Sequence, residues 1–175
     1  DLAPHLALFA YAAGTVKWQV TEAVWERGVR VTSAAAANAV PVADYTVAMI
    51  VLANKGVLLF RERTRDPTLR LPFPSPLGNA GKRIGIVGAS FVGRLVIERL
   101  RQHALEVVVY DPYLDDDEAA RLGVSVERDL TALCASVDVL SIHAPDIPTT
   151  RGMIGPGQLE ALRDGAVLVN TARPA

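Results

Sequence analysis

The chain has one cysteine in 175 residues, Cys134, inside the apolar stretch LTALCASV. A lone thiol closes no internal disulfide, which excludes a small disulfide-stapled scaffold and points to a reducing, cytoplasmic compartment. At that position the residue reads as helix core and needs no functional explanation. Neither charge sign is in excess. Eighteen Lys and Arg against 19 Asp and Glu leave a formal charge of −1, with no field to hold nucleic acid or an anionic membrane. The longest apolar run, from Val47 to Ala53, is far short of the roughly 20 residues a spanning helix needs, and Asp1 opens no signal-like segment. Internal repeats and low-complexity tracts are missing, and no metal site is expected. What is present is apolar mass, half of all residues, enough for the core of one domain or a domain and a half.

That mass is most ordered between Lys82 and Pro112, KRIGIVGASFVGRLVIERLRQHALEVVVYDP. Ile84, Ile86 and Val87 form a short apolar strand ending at Gly88, and Val92, Leu95, Val96 and Leu100 then recur at helical spacing. Such a strand–turn–helix aims helix N-terminal N–H groups and the positive end of the helix dipole at one spot, where a pyrophosphate can sit. Gly88 permits the tight turn, and Gly93 lets the helix pack close to the strand. A second strand spans Leu105 to Tyr110. Asp111 follows it, eighteen residues beyond Gly93, near the separation at which an acid meets the ribose hydroxyls of NAD. Pro112, Tyr113 and Leu114 come next. With no Arg or Lys there to neutralise a 2′-phosphate, the residues favour NAD over NADP.

One position departs from the G-x-G-x-x-G fingerprint. Gly88-Ala89-Ser90-Phe91-Val92-Gly93 has Ser90 where a second glycine brings the backbone closest to the pyrophosphate, so Ser90 either holds the cofactor slightly off or lends its hydroxyl as a donor. The competing readings are a glycine turn with no ligand and a hydrolase nucleophile. The latter needs G-x-S-x-G, and here two residues separate Ser90 from Gly93.

The rest of the chain continues the alternation. Leu6 to Ala13 reads as a buried strand ending at Gly14. Thr21 is expected to cap a short helix, EAVWER, closed by Gly28, with Val29 to Thr32 as the next strand. Trp18 and Trp25 read as packing residues, Trp25 on that helix's inner face. Ser33 to Val40 is expected to be a small-residue loop around Asn38, and Pro41 to open a long helix to about Arg63. Prolines at 67, 72, 74 and 76 make residues 64–80 a linker. Beyond Asp111 come a helix over Asp115 to Leu122 whose acidic start complements the dipole, a short strand near Val124 to Val126, and a helix from Asp129. A strand over Val137 to Ile142 then runs into His143-Ala144-Pro145. A helix over Gln158 to Leu162 ends at Gly165, and a last strand over Ala166 to Val169 runs into Asn170-Thr171-Ala172-Arg173. Strands alternating with helices imply a parallel sheet whose ligands collect at carboxyl ends, where the Gly88 turn, Asp111, His143 to Pro145 and Thr171 to Arg173 all fall.

At this point the sequence resembles the D-isomer-specific 2-hydroxyacid dehydrogenase family, through NAVPVADYTVAMI, GKRIGIVGASFVG, VVVYDPY, SIHAPDIPTTRGMIG and GAVLVNTAR. The resemblance implies an α/β fold: a Rossmann-type doubly wound parallel sheet with part of a second, flavodoxin-like α/β substrate domain. Residues 1–63 would be the partial substrate domain with its connecting helix, 64–80 the linker and 81–175 the truncated NAD-binding domain. It further implies NAD as cofactor, a small 2-hydroxy or 2-oxo acid as substrate, and a homodimer. Carried over by position, Phe91 and Val92 would meet the pyrophosphate through their backbone, and Asp111 would hold the adenosine ribose. His143, Ala144, Pro145, Asp146 and Ile147, with Thr150, would line the cofactor, and Thr171, Ala172 and Arg173 would border the nicotinamide. Arg173 matches the substrate-binding arginine, whose planar fork grips carboxylate and carbonyl oxygen together. Asn38 matches a substrate-side polar residue, and the Gly14-Thr15 turn a carboxylate-binding loop.

Two departures accompany the resemblance. Pro174 stands where the family continues from arginine into glycine, and the family's catalytic His and its Glu partner lie beyond this motif. His5, His103 and His143 read as structural or surface residues. The expectation is a partial stretch of a longer protein that binds NAD weakly and turns nothing over alone. Two alternatives stay open. One is a non-catalytic, NAD-sensing module of corepressor type. The other is hydride transfer from a one-carbon or inorganic acid, as in the formate and phosphite branches.

Overall fold

The computed structural model describes residues 3–70 and 76–172. Two compact units result, residues 1–41 and 42–175.

In the first unit, β1 (Leu8–Tyr11) and β2 (Arg30–Ser33) pair in parallel around α1 (Glu22–Glu26). Leu8 is 49% exposed and the strand alternates exposed with half-buried residues, so the buried strand expected from composition is not observed. A sheet of two strands has too little surface to cover its own faces. Thr21 does stand at the N-cap of α1, but its side chain makes no capping bond. Trp18 and Trp25 are 74% and 50% exposed and do not act as core residues.

The loop expected over Ser33 to Val40 is helical from Ala35 onward. Helix α2 spans Ala35–Asn54 with Pro41 inside it, and the N–H of Asn38 donates to Ala34 O at 2.8 Å. The alanines at 34–37 and 39 favour helix strongly enough to carry it through Pro41, whose missing N–H leaves the Ala37 carbonyl without its usual helical partner. The helix also stops sooner than its apolar pattern suggests. Gly56 takes φ +67 and starts a separate helix α3, Val57–Arg65. By length and hydropathy α2 could cross a membrane. Its residues Ala43 and Ile50, however, are fully buried in the core cluster of the second unit, and Thr46 and Asn54 are buried and hydrogen-bonded there.

The second unit holds a five-stranded parallel sheet in the order β5-β4-β3-β6-β7. The strands are β3 (Lys82–Val87), β4 (Leu105–Tyr110), β5 (Ser125–Val126), β6 (Val139–Ile142) and β7 (Val167–Asn170). The crossovers are α4 (Phe91–Leu100), α5 (Asp116–Leu122), α6 (Leu130–Ser136) and α7 (Pro156–Ala161). Each βα boundary lies within about two residues of the sequence expectation, since buried parallel strands show as unbroken apolar runs. Two apolar layers cover the sheet. Ile84, Ile86, Val96, Ile97 and Leu100 build one, and Val87, Val108, Leu133, Cys134 and Leu140 the other. Cys134 is fully buried in α6, which pushes its thiol pKa up by desolvation.

At the amino-terminal edge Lys82, 4% exposed, places its ammonium 3.1 Å from Asp138, whose other oxygen accepts the Arg83 N–H at 2.8 Å. Burial raises the Asp138 carboxyl, but the Arg83 N–H and the Lys82 charge outweigh it and hold the group below the ordinary carboxylate value. The pair ties β3 to the start of β6.

Candidate functional site

Strand order reverses at β3, whose neighbours are β4 on one side and β6 on the other. Ligands of open parallel sheets bind outside the carboxyl ends of the strands at such a point. The ladder there closes through Gly88 N–H to Tyr110 O, 2.9 Å, and His143 N–H to Val87 O, 2.8 Å. Three strand ends are thus level where the chain turns.

Gly88 takes φ +97, and a Cβ on it would stand 2.8 Å from Ala144 N. Only glycine lets the end of β6 pass so near. A Cβ on Gly93 would fall 2.1 Å from Gly88 O, so the first turn of α4 lies directly against the glycine turn. Ser90 has a role that the spacing did not disclose. It is the N-cap of α4, its Oγ accepting the Gly93 N–H at 3.4 Å. The N–H groups of Phe91 and Val92 then open the helix with no protein acceptor among the described residues, as the first turn of a helix leaves them.

Asp111 is joined to this turn. Its Oδ2 accepts the Ala89 N–H at 2.7 Å and its Oδ1 the Tyr113 N–H at 2.8 Å. Each carboxylate oxygen keeps a further lone pair for a ribose hydroxyl. Between these groups lies a cavity of about 580 Å³ lined by Gly88, Ala89, Ser90, Asp111, Ala144, Pro145, Ile147 and Thr150, within the usual range for small-molecule sites. Tyr110, Pro112, Tyr113, Leu114, Thr149 and Met153 complete its apolar wall. None of these six was singled out as a site residue from sequence, although residues 112–114 directly follow the ribose-type acid. Arg94 was also missed. It lines the cavity from the second turn of α4 and forms an ion pair with Glu118.

The segment after β6 is braced from within. Thr150 Oγ1 donates to Pro145 O and lies 3.0 Å from Ile147 O, and it accepts the Ile147 N–H at 3.2 Å. Asp146 pairs with Arg151 at 3.0 Å. Asp146, Thr150, Asn170 and Ala172 line a second cavity of about 200 Å³ on the other side of this segment.

His143 lines neither cavity. Its ring is 5% exposed, with Nε2 2.9 Å from Ser141 Oγ and Nδ1 3.4 Å from Thr171 Oγ1. Thr171 Oγ1 in turn lies 3.1 Å from Thr46 Oγ1, whose hydroxyl also reaches Val42 O at 2.8 Å. Burial pushes the imidazole pKa down to about 4, which favours the neutral ring. Among the residues expected from sequence, the structure therefore brings Gly88, Ser90, Asp111, Ala144, Pro145, Ile147 and Thr150 around one slot. Asp146 and Ala172 sit at the second cavity, and Thr171 joins the buried chain of hydroxyls. Asn38 is an exposed residue of α2 in the first unit, and Arg173 lies outside the described residues. The Gly14-Thr15 turn is a bend in which Thr15 Oγ1 accepts the Lys17 N–H at 3.4 Å.

A five-stranded parallel sheet reversing at β3, with a glycine turn, an open helix start and a carboxylate around one slot, defines a Rossmann-type dinucleotide-binding domain. Residues 47–175 match the D-isomer specific 2-hydroxyacid dehydrogenase family, NAD binding domain, and the chain belongs to that family. It is 32% identical to D-3-phosphoglycerate dehydrogenase of Mycobacterium tuberculosis across 98% of its own length and 32% of that protein's. With D-lactate dehydrogenase of Escherichia coli it shares 28% identity across 88% of this chain and 46% of the relative. The chain thus spans between about a third and a half of these curated relatives. Among solved structures, the pyruvate reductase of Chlamydomonas reinhardtii superposes with a TM-score of 0.71 at 26% identity, covering 95% of this chain and 49% of that one. D-mandelate dehydrogenase of Rhodotorula graminis, at 22% identity, shares the fold with a TM-score of 0.78 over 95% of this chain and 51% of its own.

Proposed function

We propose that the protein is an NAD-dependent oxidoreductase that interconverts a D-2-hydroxy acid and a 2-oxo acid, and that residues 42–172 hold its cofactor. One observation carries the reading: Asp111 and the Gly88 turn line a single slot of dinucleotide size and are hydrogen-bonded to each other through Ala89. The open N–H groups of Phe91 and Val92 at the start of α4, packed against the Gly88 turn, fit a pyrophosphate, and the lone pairs of Asp111 fit ribose hydroxyls. When bound, NAD would accept or give the hydride.

The chain's own residues bind and orient. Phe91 and Val92 offer backbone N–H groups to the pyrophosphate. Pro145, Ile147 and Thr150 form the opposite wall, and Thr171 and Ala172 lead β7 toward the nicotinamide end. By resemblance to the family, Arg173 grips the substrate carboxylate and Asn38 supports it. Proton transfer is assigned to a group other than His143, whose ring is buried away from both cavities. The same reading places the protein in the cytoplasm, supported by its single buried thiol, and makes it a homodimer by resemblance to the family. The relatives named above are dehydrogenases and a reductase, and no observation favours a corepressor-type module.

The test is a fluorescence titration of the protein with NADH, followed by mixing with 2-oxo acids of increasing size while reduced nicotinamide is monitored. Binding that saturates below millimolar NADH is expected. No binding at millimolar NADH overturns the reading, and reduction of NAD by formate or phosphite, with no 2-oxo acid reduced, would move the substrate class.

A further inference from the structure

Pro112 to Leu114, directly after Asp111, contain no cation, but the fold brings one to the slot's lining from α4. Arg94, one turn into α4, lines the slot together with Asp111, Ser90 and Tyr113, and its guanidinium feels the Asp111 charge directly. Its partner Glu118 lies in the first turn of α5, fixed by its own N–H to Asp115 Oδ1 at 2.7 Å. Both side chains are partly open to solvent, 39% for Arg94 and 30% for Glu118, so the pair forms part of the slot's rim rather than of the core. Glu118 is the carboxylate that holds the guanidinium, and Asp111 adds a weaker attraction from within the same slot.

Resting on the NAD-site reading above, we propose that Arg94 is a specificity-determining residue for the dinucleotide and that Glu118 sets its choice. Held by Glu118, Arg94 is neutralised, and the slot accepts a ribose with a free 2′-hydroxyl beside Asp111. Released from Glu118, the same guanidinium is a fork-shaped donor positioned for a 2′-phosphate, the group that arginine recognises in NADP sites.

The experiment measures NADH and NADPH dissociation constants by fluorescence for the unaltered protein, Glu118→Gln, Arg94→Gln and the double variant, with thermal unfolding of each as a folding control. Glu118→Gln is expected to raise NADPH affinity relative to NADH by about tenfold, the worth of one charge-assisted contact to phosphate. In the double variant that gain should vanish. An unchanged ratio in Glu118→Gln overturns the proposal. So does a gain that survives in the double variant, which would assign it to the lost carboxylate alone. Should Glu118→Gln fail to fold, Glu118→Ala takes its place: it must raise NADPH affinity relative to NADH, and an unchanged ratio refutes the idea. Failure of the unaltered protein to bind NADH would instead refute the underlying cofactor reading, so the two failures are distinct.

Discussion

Asp111 Oδ2 accepts the Ala89 N–H at 2.7 Å, which joins the acid at the end of β4 to the glycine turn at the end of β3. The residue that would meet the ribose therefore also shapes the loop that would meet the pyrophosphate. A substitution at either place is felt at the other.

Asp111→Asn keeps an oxygen for Ala89 but removes the charge. The loss of a charge-assisted acceptor is expected to weaken NADH binding by about 2 kcal/mol, roughly thirtyfold in Kd. Fluorescence titration checks it, and a Kd within threefold of the unaltered protein would remove Asp111 from the site.

Gly88→Ala combines two penalties, a left-handed φ of +97 and a Cβ 2.8 Å from Ala144 N. Backbone atoms cannot step aside as a flexible side chain can, so a stability loss of about 2–3 kcal/mol is expected, together with loss of NADH binding. Denaturant unfolding reads the first effect and titration the second.

The Lys82–Asp138 pair predicts acid sensitivity. Asp138 has a depressed folded pKa, so its contribution is complete above the unfolded value near 4 and is lost as pH falls through the folded value. Asp138→Ala should cost about 3 kcal/mol at neutral pH, because Lys82 is left buried without its partner. The variant's stability should also decline less between pH 4 and 2 than that of the unaltered protein.

His143 gives a second window. Its folded pKa, about 4, lies below the unfolded value of about 6.5, so the unfolded chain binds more protons between them. Stability from this group is full above pH 6.5 and declines as pH falls toward 4. Unfolding midpoints measured across that range should slope for the unaltered protein and flatten in His143→Gln.

Cys134, fully buried and with its thiol pKa raised, should resist a thiol reagent in the native protein and react once per chain in denaturant. Fast labelling of the native state would show that α6 opens readily.

Much of the second unit was legible in the residue order, because a parallel strand buried on both faces must be an apolar run and glycine or a capping acid must mark its boundary. Ile84 to Gly88, Leu105 to Asp111 and the Asp115 and Asp129 caps are local signals of that kind. The first unit was harder to read. Composition made Leu8 and Trp25 look buried, but burial depends on what covers a residue, and a two-stranded sheet covers little. Pro41 looked like a helix start because proline favours that position, whereas the alanines before it extended the helix past it.

Local chemistry alone settled that a glycine turn, a helix start and a well-spaced acid are present. Which side chains face one another across the slot was settled by the packing of α4 against α5 and of β6 beside β3. Arg94 meets Glu118 across 24 residues, and His143 meets Thr171 across 28. No spacing rule reaches that far, since such pairs form only where strand order and helix packing bring distant backbone together.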